Sequence, residues 1–528
     1  MHINAHFFDF WIDCSGKRGY NRRMQYITAS KLYDYIKCPH KIWRDIHGPQ
    51  EEKTQDPNDF IKLLWTKGVK HEKDIIAKLG DFENLESGTF DERFERTIKA
   101  MQDKTPLIYQ GVLRYENILG IPDLLKRMPN GDYMPIDIKS GMGTDGVDDE
   151  FGQENKLKKH YAVQLCLYNE LLKKLGFASH DKGMIIDING DEIEYDLKVK
   201  MGPRANKTWQ EFYETVKENV DLLMRGKNKN KPALSGTCKI CPWHASCKKW
   251  CQETKDLTNI FCFGRSNRDR INEDLFIKDI DNFLNIDIDE IMKQKKKEIK
   301  MGNKEFLYGI GENGLRRAVK RAKIFHQTKK PVFYNPIIFP KTSYELFFDI
   351  EDDPTQEFVY LHGIYQRKNG EEKFIDFTAK EHTREAEKEA WGNFWKYINS
   401  LPKDDFSVYY YSPHEKSTYR RLQKKYPDVI SVKDVNDFFD NPNVIDLYMK
   451  YILKETDWPL TSYSVKSIAQ FLGFQWEDEN PSGAASIEWY NRYVETKDPA
   501  VLKRILIYNK DDCKAMMVIK DEIERLQG

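Results

Sequence analysis

No stretch of this sequence approaches the roughly eighteen consecutive apolar residues that a membrane-crossing helix needs, so no membrane span is expected. The opening residues, MHINAHFFDFWIDCSGKRGYNRR, lack a basic start followed by an apolar core, and no secretory signal is expected there. A phosphate-binding G-x-x-x-x-G-K-[ST] loop is missing, which argues against an ATP-driven motor in this chain. Net charge is missing as well: Lys+Arg and Asp+Glu each number 84. Bulk charge gives no sign of a polyanionic partner, although local runs such as Lys293–Lys300 and Arg316–Lys323 can bind phosphates. Cysteine is scarce, with 9 in 528 residues. That excludes a disulfide scaffold and fits a reducing, cytoplasmic setting in which clustered cysteines hold metal.

Three of the cysteines fall close together as Cys238-x2-Cys241-x5-Cys247, the spacing of a metal-binding knuckle. A fourth candidate, Cys38, lies far upstream in Tyr35-Ile36-Lys37-Cys38-Pro39. Loop-closure entropy rises by only ~0.6 kcal/mol per doubling of loop length, so one metal centre can clamp both ends of the intervening segment. Four thiolates suit zinc or an iron–sulfur cluster equally well. Cys251 is read as a bystander.

A chain of 528 residues needs about three cores. The expected architecture is an α/β multidomain one. Residues 1–23 form an extension without fixed structure, 24–252 the cysteine-clamped domain, 253–335 a helical joint, and 336–528 a second α/β domain. In the first domain, strands are predicted over 107–113, 118–125 and 133–139, with a long helix near 156–175. In the joint, Phe263-Gly264-Arg265-Ser266 and Gly309-Ile310-Gly311-Glu312 each lead into a helix. The second resembles a helix-hairpin-helix turn, whose backbone amides can hold a DNA phosphate; Cys262 stands where the first copy would carry glycine. In the last domain, strands fit 344–350, 358–365, 373–377 and 407–411.

Asp137-Ile138-Lys139 puts an acid and an amine on one face of a strand, and Asp123 lies on the strand before it. Two carboxylates for a divalent cation plus a lysine form a minimal phosphodiester-hydrolysing set. The hairpin at Pro129-Asn130-Gly131-Asp132 decides whether they meet. A two-residue turn would pair Leu124 with Asp137 and send Asp123 to the opposite face. A three-residue loop or a bulge is predicted instead, pairing Asp123 with Lys139. His71 can join the metal, and Gln164 with Tyr168, four apart on a helix, can flank the scissile phosphate. Together, Cys38, His71, Asp123, Asp137-x-Lys139, Gln164-x-x-x-Tyr168 and the Cys238/Cys241/Cys247 knuckle resemble the RecB-like, PD-(D/E)xK iron–sulfur nucleases. The resemblance spans about 24–252. It implies a restriction-endonuclease-like fold, a [4Fe–4S] cluster on the four cysteines, and Mg²⁺ or Mn²⁺ on the acids.

Phe347-Phe348-Asp349-Ile350-Glu351 again sets two acids on one strand face, and Tyr508 and Asp512 lie one helical turn apart near the other end. Glu415 opens a helix after the strand at 407–411. Convergent carboxylates need cations to share a site, and two metals are the usual solution. These motifs resemble a DnaQ-like, ribonuclease-H-fold exonuclease of the DEDD type over about 340–528, with Tyr508 orienting water. The second motif departs from that pattern: Glu415 stands where an Asp is usual, and Asp446 is the competing candidate.

The two halves in this order are similar to RecB-family nucleases fused to a ribonuclease-H-like domain. That likeness implies a metal-dependent nuclease acting on single-stranded DNA or DNA ends, trimming 3′→5′ in the second half, in repair, recombination or defence. A helicase would come from another chain. A DNA-binding scaffold with inactive halves and an RNA-trimming exonuclease are the other readings the motifs allow.

Overall fold

The computed structural model describes residues 25–527 apart from 55–58, 146–155, 203–204, 229, 355 and 480–481. The extension expected over 1–23 lies outside the described residues. The chain divides into two compact units, Met1–Pro232 with Gly236–Cys247, and Ala233–Ser235 with Lys248–Gly528. No described helix is long and apolar enough to cross a membrane.

In the first unit, α1 (Ala29–Lys37) starts where the Thr28 hydroxyl accepts a hydrogen bond from Lys31 N. It ends at Cys38, and Pro39 opens α2 (Pro39–His47), a position where its missing N–H costs nothing. Helix α3 (Asp59–Ile76) leads to a six-stranded mixed sheet. Its strands are β1 (Glu83–Asn84), β2 (Leu107–Tyr109), β3 (Leu124–Arg127), β4 (Tyr133–Ile138), β5 (Lys182–Ile186) and β6 (Glu192–Asp196). They lie in the order β6-β5-β4-β3-β2-β1. Every residue of β4 is buried, as a central strand with both faces covered requires. Helix α4 (Lys159–Lys174) crosses from β4 to its parallel neighbour β5 and packs on both.

The hairpin is closed by Met128 N donating to Asp132 O at 2.7 Å, with Gly131 at φ +94°. Pro129, Asn130 and Gly131 therefore form a three-residue loop. Leu124 pairs with Ile136 and Arg127 with Tyr133. Continued by one residue, this register sets Asp123 across from Asp137, not from Lys139 as expected, because the loop begins one residue earlier, at Pro129. The shift is even, so Asp123 keeps the face that carries Asp137 and Lys139.

The second unit begins with a helical section that has its own core, including Leu257, Phe263, Ile271, Phe283 and Leu315. Its two turns repeat one geometry. Phe263 N donates to Ile260 O at 3.0 Å, and Ile310 N donates to Leu307 O at 3.1 Å. Cys262 (φ +59°) and Gly309 (φ +81°) occupy the same left-handed position. Gly264 and Gly311 are the N-caps of the helices that follow. Cys262 thus holds a conformation that favours glycine. Helices α5 (Ile288–Lys300) and α6 (Glu312–Lys323) flank the second turn. Arg321 ties α6 to the buried Asp457 at 2.7 Å.

Next comes a five-stranded sheet of β7 (Tyr344–Asp353), β8 (Phe358–Lys368), β9 (Glu371–Thr378), β10 (Phe406–Tyr410) and β11 (Val444–Asp446), in the order β9-β8-β7-β10-β11. The first three are antiparallel neighbours, while β10 runs parallel to both β7 and β11. Helix α7 (Pro413–Lys425) follows β10. Helix α8 (Val465–Phe471) and the long α9 (Pro499–Gln527) come later, and α9 packs on β7 and β8.

Candidate active sites

In the first unit, Asp137 lies on β4 and Lys139 directly follows its last residue, with the ammonium 2.8 Å from Asp137 Oδ2. That oxygen has no well-directed hydrogen-bond donor and is buried. Asp123 Oδ2 accepts from Ile138 N at 2.7 Å, and its Oδ1 accepts from Gln110 Nε2 at 3.2 Å. Burial, then the charges of Asp137 and Glu72, push the Asp123 carboxyl well above its ordinary range. Burial opposes the charge on Lys139, but Asp137 and Asp123 outweigh it and keep the ammonium protonated. From α4, Tyr168 comes against Asp137, and burial with both acids raises its phenol. Gln164 Oε1 is buried without a partner. The unpartnered Gln164 oxygen, and two neighbouring carboxylates that raise each other's proton affinity while facing the Lys139 ammonium, suit a divalent cation.

His71 Nε2 lies 3.1 Å from the backbone O of Asp187. Its neighbour Glu72 is linked to Asp123 through Gln110: Glu72 Oε1 accepts from Gln110 Nε2 and from the Tyr109 hydroxyl, each at 3.0 Å. Sequence reasoning missed Glu72 and Gln110. Helical order alone does not say which of two adjacent residues faces a sheet still to come.

The cysteines belong to the same unit. Cys241's thiol is pushed up to about 11, first by burial and then by Cys38 and Cys238, so these three lie near one another. The knuckle docks on α2 through Trp243, whose Nε1 donates to Asp45 Oδ1 at 2.8 Å and whose ring lies 4.5 Å from the Arg44 guanidinium. Among the described residues no three thiol sulfurs gather within 4.8 Å. Cys38 and the knuckle, two hundred residues apart in sequence, meet here, but a formed iron–sulfur site is not shown. Cys251 is buried, beside the Thr258 hydroxyl at 3.8 Å.

In the second unit, Asp349, Glu351 and Asp512 bring ligand atoms to within 4.8 Å of one another. Burial, then Asp512, Glu351 and Glu415, raise the Asp349 carboxyl, and burial with Asp512 pushes Glu351 up to about 8. Such mutual repulsion in a buried site fits a cation-binding set. Asn509 Nδ2 holds two of the acids, donating to Asp349 Oδ2 at 2.9 Å and Glu351 Oε1 at 3.3 Å. Trp476 Nε1 holds the third, Asp512 Oδ1, at 2.7 Å. Lys466 Nζ donates to the Tyr508 hydroxyl at 2.9 Å and lies 4.0 Å from Asp512 Oδ1.

Glu415, on the first turn of α7, is buried and pushed up to about 7, mainly by that burial. Ser412, the N-cap of α7, sits at φ +138°, ψ +167°, a region nearly confined to glycine. Asp446 accepts from Met449 N at 2.9 Å, and burial pushes it up to about 6. Asn509, Trp476 and Lys466 were missed. Asn509 stands between two singled-out residues of α9, and the glycine that makes room for it lies far away on β8. Nothing local marks Trp476 or Lys466.

Two nuclease-type carboxylate clusters on two α/β frameworks define the class, and comparison with known families agrees. Residues 29–248 match the PD-(D/E)XK nuclease superfamily, and residues 346–524 match the RNase H superfamily. Residues 29–248 are thus a PD-(D/E)XK superfamily domain and residues 346–524 an RNase H superfamily domain. A search of the curated proteins returns no match. Among solved structures, one titled "Crystal structure of SSO0001" aligns with 43% of this chain and 87% of its own at 15% identity. Its TM-score of 0.20 gives it no weight on the fold.

Proposed function

We propose that this protein is a divalent-metal-dependent DNA nuclease with two hydrolytic sites, one per unit. The observation that carries it is the Asp349/Glu351/Asp512 set, whose ligand atoms lie within 4.8 Å of one another, three carboxylates with the Lys466 ammonium 4.0 Å from one of them. Asp349, Glu351 and Asp512 would hold a Mg²⁺ or Mn²⁺, which would supply charge neutralisation and a stronger nucleophile from water at neutral pH. The chain's own groups orient that chemistry. Asn509 and Trp476 fix the three carboxylates. Tyr508, anchored by Lys466, presents a hydroxyl to the attacking water, and Glu415 completes the acidic wall.

In the first unit, Asp123 and Asp137 would hold the cation, with His71 as a further ligand in the expected pattern. Lys139, kept protonated by the acids, would steady the phosphate. Gln164 and Tyr168 would line it. Cys38, Cys238, Cys241 and Cys247 would hold a [4Fe–4S] cluster as a structural clasp. The substrate is taken as single-stranded DNA or DNA ends.

Anaerobically purified protein, assayed with Mg²⁺ or Mn²⁺ on end-labelled single-stranded DNA and RNA, tests this reading. Asp137→Ala and Asp349→Ala should each remove one activity. No cleavage by wild type refutes the reading, and cleavage of RNA alone refutes the DNA assignment. Iron, sulfide and zinc content, with the visible absorbance of the same preparation, tests the cluster.

A further inference from the structure

Helix α5 carries Lys293, Lys296, Lys297 and Lys300 at helical spacings of three, four and seven, so they share one face. With Met301 they line a concave surface of about 410 Å³. Lys295, on the other side, is used internally: its Nζ donates to Leu307 O at 3.0 Å and Ile310 O at 2.7 Å, fixing α5 to the turn before α6. The lysine face has little neutralisation. Lys293 lies 3.6 Å from Glu290 Oε2, with both side chains well exposed, and Lys296, Lys297 and Lys300 make no ion pair among the described residues. Lys293/Lys297 and Lys296/Lys300 are like-charge pairs one turn apart, an arrangement that destabilises a helix. The other acids of α5 are engaged elsewhere or at its start. Glu298 accepts from Asn303 at 2.9 Å, and Asp289 pairs with Arg316.

We propose that the lysine face of α5 is a docking surface for the phosphodiester backbone of DNA. The inference deepens the nuclease reading and rests on it. Charge complementarity selects the occupant: in a chain with zero net charge, four lysines crowd one concavity and lack acids to answer them. The dimensions agree. At 1.5 Å rise per residue the lysines span roughly 10 Å, and a B-form strand advances about 3.4 Å along its axis per phosphate with neighbouring phosphates about twice that far apart in space, so about two phosphates of one strand fit along the face. Met301, 71% exposed at its end, offers an apolar contact to a sugar. The surface carries no sequence information, since phosphate contacts position a duplex without reading it.

The test uses the full-length protein in excess EDTA, where hydrolysis is silent, with a short fluorescein-labelled duplex over a salt series. Lys296→Ala/Lys297→Ala is compared with wild type and with Lys388→Ala/Lys433→Ala, which removes two lysines from elsewhere in the same unit. Losing two phosphate contacts should flatten the slope of log K against log salt by about 2, while the control keeps the wild-type slope. Mn²⁺-dependent hydrolysis of a dinucleotide, which carries a single phosphodiester and so offers no backbone for a separate docking surface, should be the same in all three. Equal slopes with intact dinucleotide hydrolysis overturn the docking surface and leave the nuclease reading standing. Wild-type protein that neither binds the duplex nor hydrolyses the dinucleotide overturns both. Binding of polyglutamate in preference to the duplex also overturns the proposal, by assigning the face to an acidic protein.

Discussion

Gly363 on β8 pairs directly across from Asp349 on β7, and the space above it is filled by Asn509. A Cβ built on Gly363 would lie 1.6 Å from Asn509 Oδ1 and 2.8 Å from its Cγ, distances no real contact tolerates. Gly363→Ala must therefore expel the Asn509 amide. Overpacking of this kind costs ~1–3 kcal/mol. The expelled amide also gives up its bonds to Asp349 and Glu351, and hydrogen bonds to charged groups are worth ~1.5–3 kcal/mol each. The longer of the two, at 3.3 Å, sits at the weak end of that range. The sum is about 4–7 kcal/mol, offset by the ~0.5–1 kcal/mol that alanine gains over glycine within a strand. Urea unfolding of wild type, Gly363→Ala, Asn509→Ala and the double variant measures it, with the Asp349-dependent nuclease activity read in parallel. Gly363→Ala should lower both stability and activity. On the Asn509→Ala background it should be nearly neutral, giving an interaction energy of at least ~2 kcal/mol in the cycle. A single variant within ~1 kcal/mol of wild type, or additive behaviour in the double, would refute the argument that this glycine exists to seat Asn509.

Other outcomes follow from the same geometry. Metal-free protein should lose stability as pH rises. Glu415 titrates at about 7 when folded against 4.5 ordinarily, so between those values the folded state binds the extra proton and stability falls with each step upward. At 1.36 kcal/mol per pH unit this group alone contributes ~3 kcal/mol, and saturating Mn²⁺ should flatten the profile; a stability rising over that window would be the wrong sign. Ser412→Gly removes backbone strain at φ +138° and should stabilise by ~1 kcal/mol by thermal melt, while loss of the 3.4 Å contact from Ser412 Oγ to Glu415 lowers activity; destabilisation would show that the serine is not strained. Cys38→Ser should lower the melting temperature of the first unit and spare Asp349-dependent activity, and loss of that activity would mean the cysteines support more than their own unit.

Both domain types could be read from the sequence because their chemistry is written in short spacings. Asp137-x-Lys139 and Asp349-x-Glu351 share a face by the two-residue period of a strand, and Tyr508-x-x-x-Asp512 by the turn of a helix. The hairpin register was half legible. Parity alone decides whether Asp123 joins the site, and a three-residue loop preserves it, but whether that loop opens at Pro129 or Asn130 depends on which residue takes the left-handed conformation. What the sequence hid are the groups that hold the acids in place: Glu72 and Gln110 in one unit, Asn509, Trp476 and Lys466 in the other. Each of these reaches its partner by tertiary packing across tens to more than a hundred residues of chain, with no periodicity to announce it. Gly363 is the sharpest case. A glycine inside a β-strand reads locally as a weak point, yet its meaning lies wholly in the helix 146 residues later that needs the room. The acids that carry the chemistry are therefore legible before the fold is known, whereas the residues that set their geometry, and so separate an active cluster from an inert one, become visible only through packing.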